Sequence, residues 1–326
     1  MRHKSPPPRP ALLMGIDTEA DDQWSDRGRR EMTVRNAQEL PALQALCDEF
    51  SVRPSYLVTH EMATSGDSAA VLRALHAQGR CEIGTHLHPW SSPPFRPQDL
   101  RAHTYPHRLP PELLDRQLSE LTGTIESELG VRPTTYRAGR NGFDARSLPI
   151  LERLGYTVDT SVDPLFNERR KGGMVFAGAP LAPYRPSYED VRRPGGARLL
   201  EVPITAATLP ALPKAVEALY ARLPPLRWRA AFRRLGLRAV WLRPSYSPLP
   251  DMLAFADRLG AGGARCFNII FHSSELMAGG SPYTPDAASV GRFRDSLRRL
   301  LEHLTTRLGA RGRTYAEFAQ QFPAAP

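Results

Sequence analysis

The chain has 326 residues, 41% of them hydrophobic and 24% charged, and its 43 lysines and arginines exceed its 34 aspartates and glutamates to give a net charge of +9. This is an ordinary globular composition, and its length fits one elaborated α/β domain or two smaller ones. Uncharged stretches such as 172–184 and 202–213 fall short of the ~20 apolar residues a membrane helix needs, which excludes a bilayer-spanning protein.

The N-terminus MRHKSPPPRP has no apolar stretch of the secretory type, and Cys47, Cys81 and Cys266 form neither a metal-spaced set nor an even disulfide framework. Both features point to a cytoplasmic protein with reduced thiols. Only Lys4, Lys171 and Lys214 are lysines, an arginine excess that a GC-rich genome explains. Bulk charge alone is therefore weak evidence for nucleic acid, and no nucleic-acid motif accompanies it, which places a nucleic-acid binder last among the readings.

Apolar runs of strand length alternate with amphipathic runs of helix length. ALLMGI (11–16) reads as a buried strand ending at Asp17, and a helix is expected from about Asn36 to Phe50. PSYLVTH (54–60) is the second strand, before a helix from Gly66 to Gly79, and CEIGTH (81–86) is the third. Pro110-Pro111 opens a long helix that Gly130 closes, and TTYRAG (134–139) is the fourth strand. A short helix over 144–155 precedes YTVDTS (156–161), the fifth strand. A long loop over 164–198 leads to LLEVPI (199–204), and 205–260 reads as mostly helical. CFNIIFH (266–272) is a buried strand, Thr284 is the expected N-cap and Pro285 the first-turn proline of a helix to about Leu308, and TYAEFAQQF closes the chain.

Repeated strand then helix predicts a parallel sheet with right-handed crossovers, and about seven strands favour closure towards a barrel. Catalytic groups in such folds sit at the C-terminal strand ends. Those ends carry Asp17, Thr18 and Glu19, then His60 and Glu61, then His86 and His88, Arg137, Asp159 and Asp163, and finally His272 and Glu275. Asp17 and Glu19 are two apart, as are His86 and His88, so each pair faces one side of an extended backbone. Two imidazoles and a carboxylate suit zinc or another divalent transition metal with a position left for water. His76, His103, His107, His3 and His303 have no comparable surroundings.

GIDTE (15–19), EIGTHLHPW (82–90), YRAGRNG (136–142), DTSVDP (159–164) and IIFHSSEL (269–276) resemble, in order, the successive motifs of the polysaccharide deacetylase family, also called the chitooligosaccharide deacetylase homology domain. The likeness is greatest to its divergent exopolysaccharide-cluster branch. It implies one distorted (β/α) barrel over 1–326, with a helical, Arg-rich insertion at 205–260 before the last barrel strand. It also implies a divalent metal, with zinc as the leading identity, and an acetylated sugar as substrate. Matched motif by motif, Asp17 is the general base, Glu19 the metal carboxylate, His86 the first metal histidine, Arg137 the ion-pair partner of Asp17, and His272 the general acid. Where the family has adjacent aspartates this chain has Asp17-Thr18-Glu19, with Asp21 and Asp22 as further candidates. Where the family has a second metal histidine it has Trp90, leaving His88 as the substitute. Trp90 and Asn141 are expected to contact substrate, with Trp24, Phe143 and Tyr283 as lesser platforms. Asp17 and His272 are expected on opposite rims.

A hydrolase acting on another amide or ester, and a catalytically silent or metal-free carbohydrate-binding barrel, are the alternatives. A cytoplasmic location favours a lipid-linked or nucleotide-linked sugar over a mature polymer. Residues 218–250 carry seven arginines and no acidic residue, so the remaining 36 basic and 34 acidic residues net only +2. Their arginines interleave with Leu223, Leu226, Trp228, Phe232, Leu235 and Trp241, the pattern either of a packed helix or of one lying on an anionic membrane. On this reading the barrel chemistry does not depend on the segment.

Overall fold

A computed structural model describes residues 9–94, 104–222 and 228–322. His3, His103, the prolines at 6–8 and positions 223–227 of the basic segment lie outside the described residues.

The first half follows the strand-helix rhythm closely. Strand β1 (Ala11–Thr18), helix α1 (Asp26–Glu31) and helix α2 (Leu40–Glu49) come first, a 3-10 turn over Arg35–Glu39 opening α2. Strand β2 (Ser55–Val58) stops short of His60, which instead begins helix α3 (His60–Thr64), followed by α4 (Gly66–Ala77) and β3 (Glu82–Leu87). Helix α5 (Pro111–Leu129) has proline in its first turn and Gly130 in the left-handed C-cap, as proline's fixed φ and glycine's freedom require. Its Leu114, Leu118, Leu121, Ile125 and Leu129 recur at helical spacing and are all buried. Strand β4 (Thr135–Ala138), helix α6 (Ser147–Leu154) and the short strands β5 (Val158–Asp159) and β6 (Leu200–Glu201) follow.

The segment 205–260 is not simply helical. It contains strand β7 (Ala206–Leu209), helices α7 (Lys214–Arg222) and α8 (Trp228–Arg234), strand β8 (Arg238–Trp241) and helix α9 (Leu249–Ala261). The two strands pair antiparallel, Ala206 with Trp241 through Leu209 with Arg238, a non-local ladder that helical periodicity cannot report. The chain ends with β9 (Cys266–His272), α10 (Ala287–Glu302), β10 (Arg311–Gly312) and α11 (Tyr315–Ala319). Asp286, not Thr284, caps α10: its carboxylate accepts from the Ser289 N–H, while the Thr284 hydroxyl pairs with that of Ser281.

Seven parallel strands run in the order β9-β1-β2-β3-β4-β5-β6, forming a distorted (β/α) half-barrel with flanking helices. The two-residue β10 pairs with the first residues of β1, below the stretch that β2 occupies. Between β6 and β9, Thr205 exchanges hydrogen bonds with Asn268, and Leu242, just past β8, receives the Ile270 N–H. The insertion thus supplies part of the wall.

The barrel interior is layered. Leu13, Val158, Leu200, Val202, Tyr315 and Phe318 form an apolar floor, closed by α11. Above it the buried Asn268 amide donates to Val202 and Pro203 carbonyls and to Thr160, and accepts from Tyr315 Oη at 2.6 Å. The ionisable strand ends form the third layer. The three cysteines are buried and form no disulfide, and no helix among the described residues is long and apolar enough to cross a membrane.

Candidate active site

Parallel register brings the ionisable groups together. On adjacent strands Asp17 is the partner of His272, and His86 is the partner of Arg137. Asp17 and His272 are therefore neighbours and not on opposite rims, because β1 and β9 lie side by side.

Arg137 is 1% exposed and crosses the barrel interior to give Asp17 Oδ1 a 2.6 Å ion pair. Its other N–H groups reach the Thr160 and Gly15 carbonyls, Thr160 Oγ1 and Tyr315 Oη. A Cβ at position 15 would lie 2.4 Å from both the guanidinium and the Tyr315 hydroxyl, so glycine keeps this path open. Burial alone would disfavour the Asp17 carboxylate, but Arg137, His86 and His272 outweigh it and hold the group below the ordinary range.

Glu19 follows β1, its backbone fixed by the Asn36 amide and the Ser273 hydroxyl. Its Oε2 lies 2.7 Å from His88 Nε2 and 3.7 Å from His86 Nε2. One donor atom from each of Glu19, His86 and His88 falls within 4.8 Å of the others, and all three residues are buried. His86 Nδ1 lies 3.0 Å from the Arg137 carbonyl, so Nδ1 donates and Nε2 presents its lone pair to the cluster. His88 Nδ1 is buried without a hydrogen-bond partner among the described residues. Burial lowers both imidazoles to about 4, keeping them neutral. The same burial raises Glu19 above its ordinary value. A buried carboxylate facing two neutral imidazoles fits a divalent cation, whose charge would offset that desolvation. The other first-motif carboxylates are committed elsewhere. Asp21 accepts from Thr33, Arg35 and Asn36, and Asp22 from the Ser25 hydroxyl.

His272 Nε2 sits 3.7 Å from Asp17 Oδ2, and its Nδ1 is 2.8 Å from Glu275 Oε1. Glu275 also takes a 2.5 Å ion pair from Arg243. Burial opposes the imidazolium, but Glu19 and Glu275 outweigh burial and Arg243, so the His272 pKa is raised. Arg243 comes from the Arg-rich segment, so the site is not independent of that insertion. Nothing local distinguished it from the segment's other six arginines.

These groups open onto a cavity of about 370 Å³. Trp90 is 3% exposed, its ring 4.1 Å from that of His88 and its Nε1 donating to Gln23, so it presents only an edge to the cavity. Asn141 lines the wall with its amide donating to the Ser161 carbonyl. Trp24 and Tyr283 also line it, edge to face, whereas Phe143 is fully buried in the core. Asp163 turns away to bind the Trp241 indole.

No protein-family profile matches the sequence, and neither does any curated protein. Solved structures do match. A protein assigned as a polysaccharide deacetylase from Mycobacterium smegmatis superposes with a TM-score of 0.58 at 14% identity, covering 98% of this chain and 92% of the other. One assigned as a glycoside hydrolase/deacetylase from Parabacteroides distasonis gives 0.62 at 15%, covering 96% and 71%. This is the polysaccharide deacetylase fold. A 4-alpha-glucanotransferase from Thermococcus litoralis also shares the architecture, at 0.52 and 15% identity, this chain covering 41% of it. The deacetylase fold therefore describes the scaffold, and the chemistry has to be argued from the residues on its rim.

Proposed function

We propose that this chain is a hydrolase that removes acetyl groups from an acetylated sugar or glycan intermediate, with Asp17 as general base and His272 as general acid. The observation that carries the reading is the meeting of an ionised carboxylate and a protonatable imidazole 3.7 Å apart, beside a buried Glu–His–His set, on the rim of a deacetylase fold.

Glu19, His86 and His88 would hold a divalent cation, and the nitrogen and carboxylate donors suit zinc. Such an ion supplies an acidified water and a polarised acetyl carbonyl. Arg137 grips Asp17 Oδ1 and leaves Oδ2 to take the proton of the attacking water. His272, whose pKa its carboxylate neighbours raise, gives a proton from Nε2 to the departing amine or alkoxide, so the products are acetate and the free amino or hydroxyl sugar. Glu275 fixes the ring through Nδ1, and Arg243 keeps Glu275 ionised. Trp24 and Tyr283 offer more open aromatic surface to a sugar than Trp90 does, and Asn141 a polar wall. The test is acetate release from a panel of acetylated glycans and sugar nucleotides, with and without chelator. Chelator-sensitive release is expected, and metal-loaded protein that frees no acetate from any of them overturns the reading.

The basic segment is a proposed docking surface for an anionic membrane. Leu219 is 62% and Leu235 81% exposed, in the company of Arg222, Arg233 and Arg234. Flotation with anionic liposomes should be lost on Leu219→Ser/Leu235→Ser, and equal flotation of the variant removes the idea.

A further inference from the structure

Four cationic side chains line the cavity: Arg29, Arg140, Lys171 and Arg243. Three are neutralised by carboxylates, Arg29 by Asp26, Lys171 by Glu168 and Arg243 by Glu275. Arg140 alone among them has no carboxylate partner within the described residues. It donates instead to the neutral hydroxyl of Tyr105 at 2.8 Å, with its guanidinium 4.1 Å over that ring. Tyr105 is itself buried, so the guanidinium rests on a fixed platform.

The backbone reinforces this placement. Directly after β4, Arg140 and Asn141 take left-handed conformations, with φ of 53° and 54°. A left-handed backbone is unfavourable for an arginine, so surrounding structure must hold this turn in place. The turn delivers both side chains to the cavity wall. A guanidinium has five N–H donors in a planar fork, and one bond to a phenol leaves most of them unspent beside an uncompensated positive charge. Planar bidentate pairing with a phosphate or carboxylate is the chemistry that fork serves.

We propose that the cavity takes an acetylated sugar bearing an anionic substituent, a phosphate or a carboxylate, and that Arg140 is the side chain that binds the anion. The acetyl part of this rests on the deacetylase reading; the anion part does not.

The test compares N-acetylglucosamine with its 1-phosphate, its 6-phosphate and the corresponding uronate, using metal-loaded full-length protein. The wild type should favour at least one anionic sugar by about tenfold or more in kcat/KM, chiefly through KM, as a charged hydrogen bond allows. Arg140→Gln should collapse that ratio and Arg140→Lys restore part of it. The phosphate and uronate arms show which anion is read. Equal kcat/KM for neutral and anionic sugars, or a preference untouched by Arg140→Gln, overturns the proposal while leaving deacetylation standing. Calorimetric titration with the phosphosugars separates the two ideas: Arg140-dependent binding without acetate release retains the anion site and removes the deacetylase. A melting temperature near wild type for Arg140→Lys excludes collapse of the Tyr105 turn as the cause.

Discussion

Asp17 and His272 are register partners on adjacent parallel strands, and their side chains face each other with Oδ2 and Nε2 3.7 Å apart. A carboxylate and an imidazole this close share one electrostatic neighbourhood. Arg137, His86 and His272 together hold Asp17 below its ordinary range, while Glu19 and Glu275 raise the His272 pKa against burial and Arg243. Arg137 holds Asp17 Oδ1 on one side, and Glu275 meets His272 Nδ1 on the other.

Asp17→Asn and His272→Ala should each lower acetate release by about 10²–10⁴-fold, the usual yield of general acid-base catalysis. They differ in stability. Asp17→Asn strands the buried Arg137 charge and should cost about 3–5 kcal/mol, seen as a lower melting temperature, whereas the half-buried His272 should cost less. Near-wild-type release by either variant would reject its assigned role.

Elemental analysis should find about one divalent ion per chain, as a single three-residue donor set allows. His86→Ala and His88→Ala should each lose it. Metal retained by both variants would place the ion elsewhere.

The pH dependence follows from Glu275. Its carboxylate helps raise the His272 pKa, so Glu275→Gln should move the alkaline limb of kcat/KM to lower pH. For stability the sign is that of a depressed acid. Glu275 falls from 4.5 to about 2, burial opposing and Arg243 and His272 overcoming it. Its contribution is therefore complete above 4.5 and lost as pH falls towards 2. Acid-unfolding curves of Glu275→Gln should be flatter across that window, and an unchanged curve would remove the linkage.

Gly139→Ala should weaken metal binding, because the added Cβ would sit 2.7 Å from His88 Nδ1 and 2.4 Å from the Leu87 carbonyl. Gly123→Ala, in the exposed interior of α5 with open space around it, should instead stabilise the protein by about 0.5–1 kcal/mol. Equal metal affinity in Gly139→Ala would show that His88 can shift without cost.

Asn268→Leu should destabilise the fold by about 3 kcal/mol, since several buried hydrogen-bonding groups lose their partner at once. Among them is Tyr315 Oη, which also supports Arg137. Thermal unfolding measures the first effect, and a parallel fall in kcat tests whether the girdle under Arg137 also sets the orientation of Asp17.

By itself the sequence determined the strand-helix rhythm and the strand ends that carry Asp17, Glu19, His86, Arg137 and His272. Those signals are local: an apolar run gives way to a polar residue, or Pro111 and Gly130 punctuate a helix. Only the tertiary structure decided that Asp21 serves the Thr33–Asn36 turn while Glu19 meets the histidines, and that Trp90 packs its ring against His88. It alone chose Arg243 from seven arginines to meet Glu275 and, among the described residues, left Arg140 without a carboxylate. The reason is physical. Desolvation demands that a buried charge be paired, but which charge arrives is set by chain paths that local pattern does not encode.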